Sequence, residues 1–175
     1  MSEDKKSVTG VQRDFEENEI IVSKTDLKGH LTYVNDVFLR LASYTEKEVL
    51  GQPHNMIRHP DMPRCIFKIL WDSIQSNSEI FAYVVNRAKN GDHYWVLAHV
   101  TPSRDSSGNI IGYHSNRRVA KPETLNNIII PLYRELSALE NAHANRKEGL
   151  NASVEKVMGL LADKKMEVNE YFLSI

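Results

Sequence analysis

Apolar and polar residues alternate from Glu19 to Thr25 and again from His30 to Val34, with Asp26-Leu27-Lys28-Gly29 between them, a pattern that predicts a short β-hairpin. Asn35-Asp36 ends the second strand and offers a cap for a short helix carrying Val37, Phe38, Leu41 and Ala42. Thr45-Glu46-Lys47-Glu48 is a capping box that starts another short helix ending at Gly51. From Arg64 to Ser76 the period is helical, with Ile66, Phe67, Leu70, Trp71 and Ile74 on one face. Asp61 is its expected N-cap, and Pro63 falls in its first turn, where a missing N–H costs little. Ile80 to Arg87 and His93 to Pro102 then read as strands joined by Lys89-Asn90-Gly91-Asp92, the clearest hairpin signal in the chain. A longer turn, Arg104 to Asn109, leads to a fifth strand over Ile110 to Arg118.

After Lys121-Pro122 the period changes. Leu125, Ile129, Leu132, Leu136 and Leu139 form a narrow helical seam, and Leu150, Val154, Val157, Leu161, Val168 and Phe172 continue it beyond a polar break at 141–149. Pro131 is expected to kink the first of these helices or to mark a late start. Such a seam suits either packing back on the preceding domain or a homodimer interface. The chain therefore divides into a flexible N-terminal arm at 1–18, a domain of strands and short helices at 19–120, and a C-terminal helical segment at 121–175 for signalling or dimerisation. The class is α+β: a five-stranded antiparallel sheet with short helices on one face, followed by C-terminal helices.

Composition narrows the function. With 175 residues and a formal net charge of −1 the chain has room for one core and lacks the basic excess of a nucleic-acid binder. No apolar run approaches the roughly 20 residues that span a bilayer, and the first residues lack a secretory signal, so a cytoplasmic location is expected. One cysteine, Cys65, excludes an internal disulfide and a thiolate metal centre. No nucleophile elbow, phosphate-binding loop or zinc-helix motif is present, and His54 with His59, or His93 with His99, lack supporting carboxylates at ligand spacing, so neither an enzyme nor a metal site is expected.

The candidate chemistry concentrates in His54-Asn55-Met56-Ile57-Arg58-His59-Pro60-Asp61-Met62-Pro63, a polar loop beside an apolar helix, the usual make-up of a small-molecule pocket. Arg58 and His59 suit phosphates or an adenine ring, although Arg58 could equally pair with Asp61 across the turn. Asn35 and Asn86 can each donate and accept, or simply form turns. Trp71, Tyr94, Trp95 and Tyr113 could wall a planar ligand or be core. Alternation sets Tyr94 and Trp95 on opposite sheet faces, so only one of them can face a ligand.

Thr25-Asp26-Leu27, Val34-Asn35-Asp36, Gly51-Gln52-Pro53 with the loop up to Pro63, Asn86-Arg87, Lys89 to Tyr94, and Gly112-Tyr113 followed by Arg117 together resemble the flavin-binding PAS domains of the bacterial aerotaxis type. The likeness covers about residues 19 to 120. It implies FAD between sheet and helices, held by Asn35, His54, Arg58, His59, Asp61, Trp71, Asn86, Tyr94, Tyr113 and His114, with the redox state read out through the C-terminal helices to a downstream signalling protein. Ile80 and His114 depart from the family, which has tryptophan and methionine there. His114 could be structural, could tune a flavin or could ligate haem, as in some PAS domains. Cys65 stands later than the reactive cysteine of the photoreceptor relatives, so a small core residue is expected rather than an adduct-forming thiol. The competing function is a cofactor-free PAS interaction or dimerisation module.

Overall fold

A computed structural model describes residues 7–175. Strands β1 (Ile21–Thr25) and β2 (Leu31–Val34) form the first hairpin, followed by the short helices α1 (Asp36–Ala42) and α2 (Glu46–Val49), a 3-10 turn at His54–Ile57, and α3 (Arg64–Gln75). Three longer strands follow, β3 (Ile80–Arg87), β4 (His93–Arg104) and β5 (Ile110–Val119). All neighbours are antiparallel, in the order β2-β1-β5-β4-β3, so the chain's last strand lies at the centre of the sheet beside its first. That arrangement brings Ser23 opposite Ser115 and sets the pocket-facing residues of β1 and β5 side by side.

Local chemistry explains the short elements. Asn35 caps α1: its Oδ1 accepts from the Phe38 N–H and also from the Val22 N–H of β1. Glu48 accepts the Thr45 N–H at 2.9 Å and completes the capping box of α2. Helices α1 to α3 cover one face of the sheet, where Ile21, Phe38, Ile57, Ile66 and Ile74 are almost wholly buried.

The C-terminal helices cover the other face and one edge. α4 (Pro122–Thr124) runs through a π-helical stretch, Leu125–Ile129, into α5 (Ile130–Asn141), followed by α6 (Arg146–Lys164) and α7 (Val168–Ser174). Pro131 neither stops the helix nor starts it: the wider π turn, in which the Ile130 N–H reaches Leu125 O, precedes the residue that lacks a donor. The seam is spent inside the chain. Leu125, Ile129, Leu136, Val157, Leu161 and Phe172 are buried in the core, Tyr133 packs on Trp95 and donates to Tyr83 O at 2.6 Å, and Phe172 packs on Tyr83. The pattern that suited a homodimer is thus satisfied by packing back on the sheet. At the outer edge of β3, Asn169 of α7 accepts the Phe81 N–H and donates to Glu79 O, at 2.8 and 3.1 Å.

The segment expected to be a flexible arm is hydrogen-bonded to the sheet over part of its described length. Residues 7–13 lie along the β3–β4 hairpin through Thr9 N–H to Gly91 O, His93 N–H to Val11 O and Arg13 N–H to His93 O, and the Arg13 guanidinium meets Asp92 at 2.9 Å. These long-range bonds fix a polar segment that buries little apolar surface. Residues 1–6 of that arm lie outside the described residues.

Candidate functional site

A cavity of about 330 Å³ opens between the sheet and α3. Sheet alternation supplies its floor: Ser23 and Thr25 from β1, Val84 and Asn86 from β3, Ala98 and Val100 from β4, and Tyr113, Ser115 and Arg117 from β5. Phe67, Leu70, Trp71 and Ile74 form the opposite wall from α3, and the 3-10 turn closes one side with His54, Ile57 and Arg58. Trp71 meets Tyr113 edge to face, with ring centres 5.5 Å apart. The lining is largely apolar with a few convergent polar groups, which suits a planar organic ligand.

Its electrostatics centre on a residue to which the sequence assigned no role. Arg117 is 2% exposed and has no carboxylate partner among the described residues. Its Nε donates to Ser115 Oγ at 3.1 Å, its Nη2 donates to Ser23 Oγ and to His54 Nε2 at 2.8 Å, and its guanidinium lies 5.7 Å from the centre of the Phe38 ring. Nη1 has no partner. Burial pulls the guanidinium down to about 10 from its ordinary 12.5. His54 is pushed down to about 3, first by burial and then by the positive charge of Arg117, so it is a neutral imidazole whose Nε2 accepts. The Asn86 side-chain nitrogen is likewise buried and unpartnered, and its backbone pairs with Arg58 in an isolated bridge that ties the polar loop to the sheet. Two residues that line this cavity thus each carry a buried donor without an acceptor among the described residues, an arrangement that suits a ligand bearing acceptor atoms.

The expected site residues divide. His54, Arg58, Trp71, Asn86 and Tyr113 line the cavity. Arg58 holds its guanidinium 4.7 Å over the Phe67 ring and donates to Met62 O rather than to Asp61. His59, one residue on, points elsewhere: it is 5% exposed, accepts the Asp61 N–H at Nδ1, and lies 5.6 Å from the ring of His93 in a second cavity with Trp95 and Tyr133. The extended backbone at Arg58 sends successive side chains to opposite sides, which separates the expected pair. Asp61 lines that second cavity too, with its side chain 84% exposed, and it does not cap α3, because Pro63 takes the capping position.

Asn35 is outside the cavity. Both ends of its amide are spent on backbone, Oδ1 as above and Nδ2 donating to Ile20 O at 2.8 Å. Tyr94 lies on the cavity side of the sheet but beyond its lining, fully buried, with an unpartnered hydroxyl that burial pushes up to about 12. Trp95 faces the other way, against Tyr133. His114 borders the cavity, but its imidazole bonds Asn116 two residues along, on the face opposite Tyr113, Ser115 and Arg117. Strand alternation thus turns its ring away from the cavity floor. Ile80 is core and does not line the cavity, and Cys65 is buried, its thiol pushed up to about 11 chiefly by burial.

Among the described residues no cluster of three metal-binding side chains occurs, and no helix is long and apolar enough to cross a membrane. Comparison with known proteins agrees with the architecture. Residues 31–117 match the family model for the PAS fold. The chain is 40% identical over 131 residues to the aerotaxis receptor of Escherichia coli, a match that covers 75% of this chain and 26% of that one. It is 25% identical over 103 residues to the nitrogen fixation regulatory protein of Klebsiella pneumoniae, covering 59% and 21%. The chain thus spans about a quarter or less of the length of these relatives. Among solved structures, the light state of the Aureochrome1 LOV blue-light photoreceptor superposes with a TM-score of 0.56 at 24% identity, over 62% of this chain and 88% of that one. With the sheet order, the cavity under α3 and the match over 31–117 all in agreement, this chain belongs to the PAS family.

Proposed function

We propose that the cavity binds the flavin of FAD and that the chain is a redox-sensing module that signals through its C-terminal helices to a downstream protein. The observation that carries this reading is Arg117. A buried guanidinium supported by hydroxyls, a neutral imidazole and the Phe38 ring, with no carboxylate among the described residues, is costly in an empty, purely structural site, whereas a ligand with a polarised or anionic edge gives it a partner. Asn86 supplies a second free donor in the same cavity, and Trp71 with Tyr113 offers a surface for a flat ring. The resemblance to flavin-binding PAS domains of the aerotaxis type, and the similarity to an aerotaxis receptor, select FAD among planar ligands.

FAD supplies, when bound, a ring whose charge and hydrogen-bonding capacity change with its redox state. The residues here are suited to register such a change. Arg117 fixes positive charge at the cavity floor and favours negative charge on a ligand there. Asn86 can present either end of its amide, and its backbone bridge to Arg58 couples its position to the polar loop. Arg58, stacked on Phe67 at the cavity side, is placed to meet an anionic extension of the ligand, a role that His59 and Asp61 do not share at this cavity. The reading is one of ligand binding and signalling rather than catalysis. The two unpaired donors also favour a ligand over the cofactor-free interaction module.

Absorption spectra of the purified chain, with and without added FAD and then after dithionite, test the proposal. Bound flavin bands that bleach on reduction are the expected result, and protein that stays colourless and takes up no FAD refutes it.

A further inference from the structure

Helix α3 forms the wall of the cavity, yet it does not satisfy its own beginning. Pro63 provides no capping side chain, and Asp61 points to solvent, so the first N–H groups need an acceptor from outside. Glu140, in the last turn of α5 and 5% exposed, provides it. One oxygen accepts the Cys65 N–H at 2.8 Å and Ser153 Oγ of α6 at 3.0 Å; the other accepts the Arg64 N–H at 3.1 Å and Arg64 Nε at 2.9 Å. One carboxylate therefore joins α3, α5 and α6, and its negative charge sits at the positive end of α3. Gly149 permits the approach, since a Cβ there would lie 2.3 Å from Glu140 O.

We propose that Glu140 is a positioning residue for the cavity: by capping α3 from the C-terminal segment it sets where Phe67, Leu70 and Trp71 stand, so that cavity occupancy and docking of residues 130–164 are linked through this one carboxylate. The link is reciprocal. A ligand that prefers one placement of α3 favours the tail arrangement that holds it, and displacing the tail weakens the hold on the ligand. The ligand half of this inference rests on the flavin reading above; the structural half does not.

Four variants of the full chain, Glu140→Asp among them, separate the outcomes. Glu140→Gln keeps size and removes charge, Gly149→Ala drives α6 from α5 without altering the carboxylate, and Glu135→Ala removes only the exposed Glu135–Lys156 pair between the same two helices. Hydrogen exchange without ligand and titration with FAD are both recorded. Glu140→Gln and Gly149→Ala are expected to speed exchange about tenfold in both 64–71 and 130–164 and to weaken FAD binding about tenfold, with Glu140→Asp restoring part of the loss and Glu135→Ala matching the parent. Faster exchange confined to the tail, with α3 and FAD affinity unchanged, overturns the proposal; so does an equal effect of Glu135→Ala. Coupled exchange in a protein that never binds FAD upholds the link through Glu140 and refutes the flavin reading alone.

Discussion

Replacing Arg117 by methionine separates a ligand-binding cation from a structural one. In the folded chain the guanidinium is held at about 10 against an ordinary 12.5, burial being the main cause. At about 1.4 kcal/mol for each tenfold in proton affinity, the charged form carries a penalty of about 3 kcal/mol. The sign is fixed by the direction: the folded state binds this proton less tightly than the unfolded state, so the penalty is fully present at every pH below about 10. Methionine removes the charge and roughly fills its volume. It forfeits the contact over Phe38, about 1 kcal/mol, and leaves Ser115 Oγ without its donor, about another 1 kcal/mol, while Ser23 Oγ and His54 Nε2, already 3.3 Å apart, can bond each other. The balance is about 1 kcal/mol of added stability for ligand-free protein, a rise of about 2–4 °C in melting temperature for a chain of this size. Binding moves the other way. Loss of a charge-assisted hydrogen bond to the ligand, about 2 kcal/mol, is about thirtyfold in affinity for FAD, read by quenching of flavin fluorescence. A variant that melts well below the parent and binds FAD equally well would refute the argument, because Arg117 would then serve the fold and not the ligand.

Asn86→Leu removes the second unpaired donor and should weaken FAD binding about tenfold with little loss of stability, measured by the same titration and a thermal melt. Gly29→Ala places a methyl 3.1 Å from the Trp71 ring at a backbone φ of +84°, so it should cost about 1–2 kcal/mol in stability and shift the flavin spectrum through displacement of Trp71. His54, held down to about 3, contributes stability that is complete above its ordinary 6.5 and declines as pH falls toward 3. Denaturant unfolding at pH 7 and pH 5 should therefore differ by up to about 2 kcal/mol more in the parent than in His54→Gln. Glu140 is held below the ordinary carboxylate range: burial opposes this, but the bonds from Cys65, Arg64 and Ser153 outweigh it. Its contribution is present above the ordinary 4.5 and lost as pH falls through the lower folded value, so Glu140→Gln should flatten the acid limb of the stability curve below pH 4.5.

The strands and most helices were legible because each rests on local physics: runs of β-forming residues over 80–85 and 94–101, Asn90-Gly91 in a tight turn, and the helical face of Ile66, Leu70 and Ile74. The departures came from partners distant in sequence. Asp61 looked like the cap of α3 by proximity, but the acceptor is Glu140, more than 70 residues away. Its signal was present as a charge on the apolar stripe of Leu136 and Tyr133. Arg117 was similarly readable, since alternation from Tyr113 through Ser115 points it inward. What alternation could not reveal was that no carboxylate among the described residues meets it. The polar loop read as one clamp, and only its backbone course shows that Arg58 and His59 belong to separate cavities.

The amide of Asn169 acquires a second meaning when the tail moves. It stands against β3 as a strand would, meeting one N–H and one carbonyl of an eight-residue strand whose outer edge has no neighbour in the sheet. Undocking α7 would bare that edge together with Tyr83, leaving a surface able to recruit another β-strand. A signal carried by release of the tail is therefore bound to colloidal behaviour: the released state should self-associate as concentration rises, and the docked helix acts as the guard that keeps the chain from doing so.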